Sequence, residues 1–471
     1  MGGILSDSFD LIVIGAGPAG GEAALAAASF GLTVALLDEG PEPGGQVWRA
    51  PRTKAAKAKA PDADRARGDA LRARIGDSSV QVLRGMQVWD VRPGFAVSCV
   101  SARGGRLLTA PRVVLATGAI ERILPFDGWT TPGVFGLAAA TALIKSEGAL
   151  AGKDIVIAGQ GPLLIAVAAK ALSLGKMPLA IIDRASIADW GRAFMGFAHV
   201  PSMALTGAQW MAQIKRAGVP ILRNSAVVGA KGGSRLTSVS IRNLTKGTTT
   251  EMDADTLYIG NGLAPGDEIH RLLGLRQQPD VLRGGYRTGC DSDRRSSLNG
   301  LYVAGDGAGV HGALPSAVQG QLAGLAAALD HGAMDATRHE DETRHLKRRL
   351  RRYVRFADAS CTLMQFPTES LQEVPATTIV CRCEDVTAGD ILQAQRSGAC
   401  DINQLKHFTR LGMGPCQGRL CAMNAADFLR ADAPEGGLRL TPRAPVRPIE
   451  MEALIGTFDY ADIPVPKPAP L

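Results

Sequence analysis

At 471 residues, 46% of them apolar, the chain is long enough for two or three globular domains with substantial cores. Its formal charge of +7 would suit nucleic acid, but the basic residues gather in Arg49 to Arg74 and His345 to Arg355 with little aromatic interleaving. Solvated linkers or faces toward an acidic partner are expected instead, and nucleic acid is not. No apolar run reaches membrane-spanning length, and the N-terminus has neither the basic start nor the cleavage site of a signal peptide, so a cytoplasmic protein without a transmembrane segment is expected.

Residues 10 to 39, DLIVIGAGPAGGEAALAAASFGLTVALLDE, read as strand, tight turn, helix and strand. The apolar run from Leu11 to Ile14 ends at Gly15. Gly15, Gly17 and Gly20, with Pro18 and Ala19 between them, then supply a tight turn, close backbone approach to a pyrophosphate, and close packing of helix on strand. Free N–H groups at the helix start receive phosphates. Asp38 lies where an acid accepts the hydroxyls of an adenosine ribose, and Glu39 competes for that role.

The loop PEPGGQVWR follows, in which Gly44, Gly45 and Gln46 make a compact loop just beyond the acidic strand end, either an ordinary turn or, by resemblance to two-dinucleotide-domain flavoproteins, a loop over the cofactor's phosphates and flavin edge. Residues 50 to 75, rich in Ala, Lys, Arg and Asp, read as an exposed helical excursion without chemistry. Strand-like alternation returns at Val80 to Leu83 and Phe95 to Val100. A third apolar stretch, Val113 to Leu115, leads into Ala116, Thr117, Gly118 and Ala119, where small residues let the backbone meet a nucleotide. Far downstream LYVAGD, 301 to 306, brings Gly305 and Asp306 to a helix start, where the carboxylate can accept hydrogen bonds from the ribityl chain of FAD.

Between these pieces the pattern repeats. Asp154 to Ala158 read as a strand, Gly159, Gln160 and Gly161 as a turn, and an Ala- and Leu-rich helix leads to Leu179 to Asp183. The repeat predicts an α/β protein with two Rossmann-like dinucleotide-binding domains, the second inserted in the first. The expected division is 1–125 with 285–330 for the first domain and 126–284 for the second. A basic connecting segment at 331–375, a compact module at 376–430 and a proline-rich tail at 431–471 follow. Leu164 stands at the third glycine position of the second turn, which argues against NAD(P) binding there. The tail, with Pro464, Pro466, Pro468 and Pro470, is expected to be disordered or draped over a partner.

Eight cysteines are present, at 99, 290, 361, 381, 383, 400, 416 and 421. Cys381 and Cys383 form a CxC pair and Cys416 and Cys421 a CxxxxC pair, separated by two short helical patterns. Four thiolates from two loops can ligate a [2Fe-2S] cluster, each iron taking two sulfurs. Zinc also accepts four thiolates, although its structural sites more often use CxxC knuckles. Lys406, Arg410 and Arg419 lie near these ligands in sequence and would raise a cluster's potential. No nucleophile, acid–base dyad or substrate-carboxylate clamp stands out, and His311 and His407 read as structural, so no catalytic residue is assigned.

The cysteine module, ending TRLGMGPCQGRLC, resembles the bacterioferritin-associated-ferredoxin-like [2Fe-2S] domain. Together with GAGPAG, DEGPEPGGQVWR, ATGAIERILPFDGW and GQGPLL, it resembles the alpha or A subunits of the family containing opine oxidases, D-hydroxyproline dehydrogenase and hydrogen cyanide synthase. The resemblance implies an electron-accepting subunit of a dye-linked amine or amino-acid dehydrogenase. A beta subunit resembling glycine or D-amino-acid oxidases would carry the substrate-oxidising flavin, a small third subunit can join, and a downstream acceptor can place the assembly peripherally at the inner membrane. Related sarcosine-oxidase-type enzymes imply further that the first pocket can hold NAD or ATP in place of FAD, and that FMN can lie between the subunits. Two other readings stand beside this one: a self-sufficient NAD(P)H-dependent flavoprotein reductase, and a redox or zinc-binding interaction module.

Overall fold

Five parallel strands form the first sheet, in the order Leu301–Val303, Val113–Leu115, Leu11–Ile14, Val34–Asp38 and Gln81–Arg84. The structure, a computed structural model, describes residues 6–59, 62–365, 371, 373–429 and 437–452. Leu11, Ile12 and Val13 are wholly buried, as the central strand of a sheet covered on both faces must be, so their run is apolar rather than alternating. Helix Pro18–Ala28 packs against helix Ala313–His331. Their small residues permit very close contact: a Cβ on Gly320 or Gly324 would strike the carbonyl oxygens of Ala19 or Ala23.

The second sheet repeats the first. Its order is Val134–Gly136, Thr256–Gly260, Ile155–Gly159, Ala180–Asp183 and Ile221–Arg223, again all parallel. In each sheet the strand feeding a glycine turn is third, and the strand ending in an aspartate is fourth. Each unit also carries an antiparallel layer. In the first, Gln87–Arg92, Ala96–Ser101 and Gly104–Thr109 form a meander; in the second, Ser225–Gly232, Leu236–Asn243 and Thr249–Asp253 do so. The expected α/β fold with one Rossmann-like unit inserted in another is therefore what the chain adopts. Two short strands, Ala119–Glu121 and Leu263–Pro265, pair antiparallel where the chain passes between the units.

Residues 50 to 75 are helical and largely exposed, as expected, but they are not a free excursion. They form helices Lys54–Ala58 and Ala63–Gly76, which fold back to bridge both units. The Arg52 N–H donates to the Ser146 carbonyl at 2.8 Å, Asp62 pairs with Lys170 at 2.8 Å, and Asp64 pairs with Lys145 at 3.0 Å. On the other side Arg74 holds the buried Glu22 of the first helix at 2.7 Å. The charges that suggested a solvated excursion are thus ion-pair partners of the two units.

Helix Ala336–Thr362 runs from one unit to the other: Leu346 joins the first unit's core, while Ala359 and Leu363 pack with Ala185 and Ala193 of the second. The C-terminal module has a small hairpin, Ile379–Cys381 with Val386–Thr387, and helices Ala388–Arg396, Ile402–Thr409 and Ala422–Leu429 around its own apolar cluster. Residues 437–452 do not leave the molecule. Leu440 enters the module's core, Val446 enters the first unit's, and the Val446 N–H donates to the Trp89 carbonyl at 2.9 Å. The proline run from 464 to 470 lies outside the described residues.

Candidate dinucleotide pocket and cysteine centre

A cavity of about 1300 Å³ opens where the strands of the first sheet end, above the roughly 300–1,000 Å³ of ordinary small-ligand pockets. Gly15, Gly17, Pro18, Ala19, Asp38, Glu39, Gly45 and Gln46 line it, as do Thr117, Gly118, Gly305 and Asp306. Gly20 lies beneath the wall. A Cβ there would collide with the Gly15 carbonyl, so it sets the approach of helix to turn. Gly15 takes φ +101°, and a Cβ on it would strike the Ala116 carbonyl. Gly45, at φ +59°, faces Gly17, and a Cβ on Gly45 would sit 2.9 Å from the Gly17 Cα. The two bare backbones make a cradle with no side chain in it, which fits a pyrophosphate.

The two acids at the strand end are not equivalent. Asp38 accepts from the Ala16 N–H at 2.6 Å and the Gly40 N–H at 2.7 Å, one with each oxygen. Burial nevertheless holds its carboxyl above the usual range. Glu39 is exposed at the pocket, with Arg447 3.9 Å away. Asp306 receives the His311 and Gly312 N–H groups at 2.8 Å and the Ser316 hydroxyl at 3.2 Å, all on Oδ1, which leaves Oδ2 for the cavity.

Further residues back or extend this wall. His270 is fully buried, with Nε2 3.2 Å from the Thr117 hydroxyl and Nδ1 2.8 Å from the Thr288 hydroxyl. Burial pushes its pKa down to about 4, so it stays neutral and fixes Thr117. Glu121 accepts the Ala138 N–H at 2.7 Å at the start of helix Leu137–Glu147. Desolvation raises its carboxyl to about 7. Arg49, Arg52, Lys57, Arg65 and Arg72 form a basic side. Arg72 also donates to the carbonyls of Pro43 and Trp48, at 2.8 and 2.9 Å, and so supports the Gly44–Gln46 loop. The stretch expected to carry no chemistry therefore shapes the pocket.

In the C-terminal module Cys381, Cys383, Cys416 and Cys421 come together, all as free thiols. Cys421 hydrogen-bonds to both Cys381 and Cys416, and Cys416 to Cys383. The Cys421 bond lowers the Cys381 thiol to about 6 against its burial, helped by the N–H groups of Gly412, Glu384 and Cys383. Cys416 is lowered likewise, with the Leu420 and Gly418 N–H groups aimed at its sulfur. Among the described residues no three or more His, Cys, Asp or Glu side chains are set around one metal-ion position; the sulfurs form a chain. A row of sulfurs receiving backbone N–H bonds fits a two-iron cluster, whose thiolates such bonds stabilise. Cys400 instead turns to Gln404, 3.3 Å away. Arg410 pairs with Glu384 at 2.8 Å. His407 stands edge-on to Phe408, and His311 is half-buried and neutral, its pKa pushed down to about 3 chiefly by desolvation.

The two sites share a wall. Arg419 and Leu420, between Cys416 and Cys421, line the cavity together with Val446 and Arg447. Arg419 pairs with Glu268 at 2.7 Å and donates to the Cys416 carbonyl at 3.1 Å. Behind it Arg122 pairs with the buried Asp427 and donates to Asn424 at 3.1 Å, while the Trp129 indole donates to the Ile379 carbonyl at 2.6 Å. The module is docked on the segment that links the Rossmann-like units.

A sheet of this order with a glycine-turn pocket beside four converging cysteines defines a dinucleotide-binding oxidoreductase with an iron–sulfur module. The chain belongs to the pyridine nucleotide-disulphide oxidoreductase family, whose pattern matches residues 9–332, and residues 379–431 match the BFD-like [2Fe-2S] binding domain. Its cofactors are accordingly a dinucleotide of FAD type and a [2Fe-2S] cluster. It is 34% identical to the A chain of the opine oxidase of Rhizobium meliloti (strain 1021) over 465 residues, covering 94% of this chain and 97% of the relative. The HcnB chain of the hydrogen cyanide synthase of Pseudomonas aeruginosa is 31% identical, with 94% and 97% covered. The crystal structure of L-proline dehydrogenase from P. horikoshii superposes with a TM-score of 0.67 at 21% identity, covering 96% of this chain and 81% of that one, which is a likeness of fold. Among the described residues no helix is long and apolar enough to cross a membrane.

Proposed function

We propose that this chain is the electron-transfer subunit of a heteromeric flavin and iron–sulfur dehydrogenase that oxidises the C–N bond of an opine, D-hydroxyproline or a similar amino acid. The substrate-oxidising flavin lies in a separate subunit of the glycine or D-amino-acid oxidase type, and the assembly works in the cytoplasm. The observation that carries this reading is the shared wall: one loop supplies two of the converging cysteines and also lines the dinucleotide cavity through Arg419 and Leu420. When bound, a flavin accepts two electrons together and releases them singly, and a [2Fe-2S] cluster carries one at a time.

The chain's own residues bind and position. The backbone around Gly15, Gly17 and Gly45 holds the pyrophosphate, and Gly20 keeps the helix start close to it. Glu39 accepts the ribose hydroxyls, because Asp38 commits both oxygens to the turn. Asp306 offers Oδ2 to the ribityl chain, and neutral His270 keeps Thr117 and Gly118 in place. Cys381, Cys383, Cys416 and Cys421 hold the cluster. Residues 1–125 with 285–330 act as the dinucleotide domain, 126–284 as a spacer of the same fold, and 376–430 as the electron outlet.

The chain purified alone should carry the visible absorption of a dinucleotide flavin and a two-iron centre, and give a paramagnetic signal when reduced anaerobically. It should oxidise no amine until the partner is supplied. Unaided turnover of an amine overturns the assignment.

A further inference from the structure

The second glycine turn occupies the same place in its sheet as the first, so a nucleotide bound to that unit would lie at the carboxyl ends of its strands, over Gly159 to Gly161. The protein's own chain lies there. Where the long helix Ala336–Thr362 ends, the turn Leu363, Met364 and Gln365 comes down on the glycine turn. A Cβ on Gly161 would meet the Met364 Cγ at 2.6 Å, and Gln160, 3% exposed, donates its side-chain amide to the Gln365 carbonyl at 3.1 Å.

The acid that ends the neighbouring strand is turned inward as well. Asp183, the counterpart of Asp38, is fully buried and accepts the Ala185 N–H at 3.0 Å, the Trp190 indole N–H at 2.8 Å and the Arg223 guanidinium at 3.1 Å. Trp190 belongs to helix Ile187–Phe197, which the long helix covers through Phe197 against Phe356, with ring centroids 5.1 Å apart. Leu164 is fully buried where the third glycine would stand. The pyrophosphate position and the close helix approach are each occupied by a different part of the chain.

We infer that the second unit's nucleotide site is filled by the protein's own turn at Leu363 to Gln365, and that NAD(P)H is therefore excluded as an electron donor. This goes beyond the proposed function, which uses the unit only as a spacer, and rests on it solely in taking the bound flavin as one reporter. Electrons enter through the first unit, and the retained fold holds the long helix and its C-terminal turn in place.

The test is hydrogen exchange on the full chain with its cofactors, read at residues 159–164, with and without millimolar NADH or NADPH under anaerobic conditions. Slow exchange that neither nucleotide alters, with no bleaching of the flavin, is expected. Protection of 159–164 by NADH, or saturable bleaching of the flavin, overturns the inference. Met364→Gly with Leu363→Ala should speed exchange at 159–164 by about tenfold or more. Gln160→Ala, which removes the tether without opening the apolar contact, should speed it less but measurably. Unchanged exchange in both variants shows that the turn is no plug. A chain that holds neither flavin nor cluster sinks the functional reading instead, and leaves the exchange result to judge this one.

Discussion

Arg419 joins Cys416 to Glu268: its guanidinium donates to the cysteine's carbonyl at 3.1 Å and pairs with the glutamate at 2.7 Å, with the arginine side chain only 10% exposed. Glu268 faces the dinucleotide cavity, so the residue that ties the cysteine loop down also ties it to the cavity wall. Arg419→Gln should weaken binding of ADP, used as a probe, roughly fivefold or more and shift the cluster's reduction potential. Arg410→Gln, at an exposed pair on Glu384 away from the cavity, should leave ADP affinity unchanged. Calorimetry and potentiometry on the full chain separate the two.

Cys416→Ser should abolish the iron–sulfur absorption. Two separate modules, as the sequence suggests, would leave dinucleotide affinity untouched. With Arg419 and Leu420 in the cavity wall, the dinucleotide should still bind but several-fold more weakly, which flavin retention during dialysis measures.

Asp38 and Glu39 should respond differently to loss of charge. Asp38→Asn leaves one backbone N–H of the turn without its acceptor and should lower stability by about 1–3 kcal/mol. Glu39→Gln should leave the melting temperature alone and cost about 1 kcal/mol in ADP binding, roughly fivefold. Melting curves and ADP titrations of the two variants distinguish these effects.

Arg122 and Asp427 form an ion pair at the docking face with side chains 10% and 1% exposed. Removing one partner of a buried pair is destabilising, by up to about 3–5 kcal/mol. Asp427→Ala should therefore make the cysteine module the first part of the chain to be cut in limited proteolysis.

Glu121 carries a pH dependence. Its carboxyl is raised from 4.5 to about 7 in the fold, chiefly by desolvation. The folded state thus holds the proton more tightly than the unfolded state, the stabilisation is complete below 4.5, and it is lost as pH rises toward 7. Glu121→Gln should flatten unfolding curves across that window by up to about 3 kcal/mol.

Much of the site was legible because its chemistry is local: the glycine turn, the GGQ loop and the two cysteine pairs are short and depend on backbone approach or sulfur spacing. What the sequence hid is non-local or faint. His270 fixes Thr117 across 153 positions. Helix Ala63–Gly76 buries only Gly68, Leu71 and Ile75, too few apolar residues to reveal that Arg65 and Arg72 reach the cavity. Nothing in the letters DE separates Asp38 from Glu39, since the difference is which carboxylate the turn's N–H groups find. Val446 is one apolar residue among prolines and arginines, and its burial depends on a groove made by two other domains.

Helices Lys54–Ala58 and Ala63–Gly76 make a third attachment between the units, beside the paired linker strands and the long helix. Two strands alone give an axis about which one half can swing; splinting at a third point leaves no axis. In the electron-transfer role proposed above, a spacing set once, at folding, would carry charge over a constant gap at every turnover with no gate of its own. Cutting the splint, rather than altering any cofactor contact, is the change that would make this chain's throughput depend on motion.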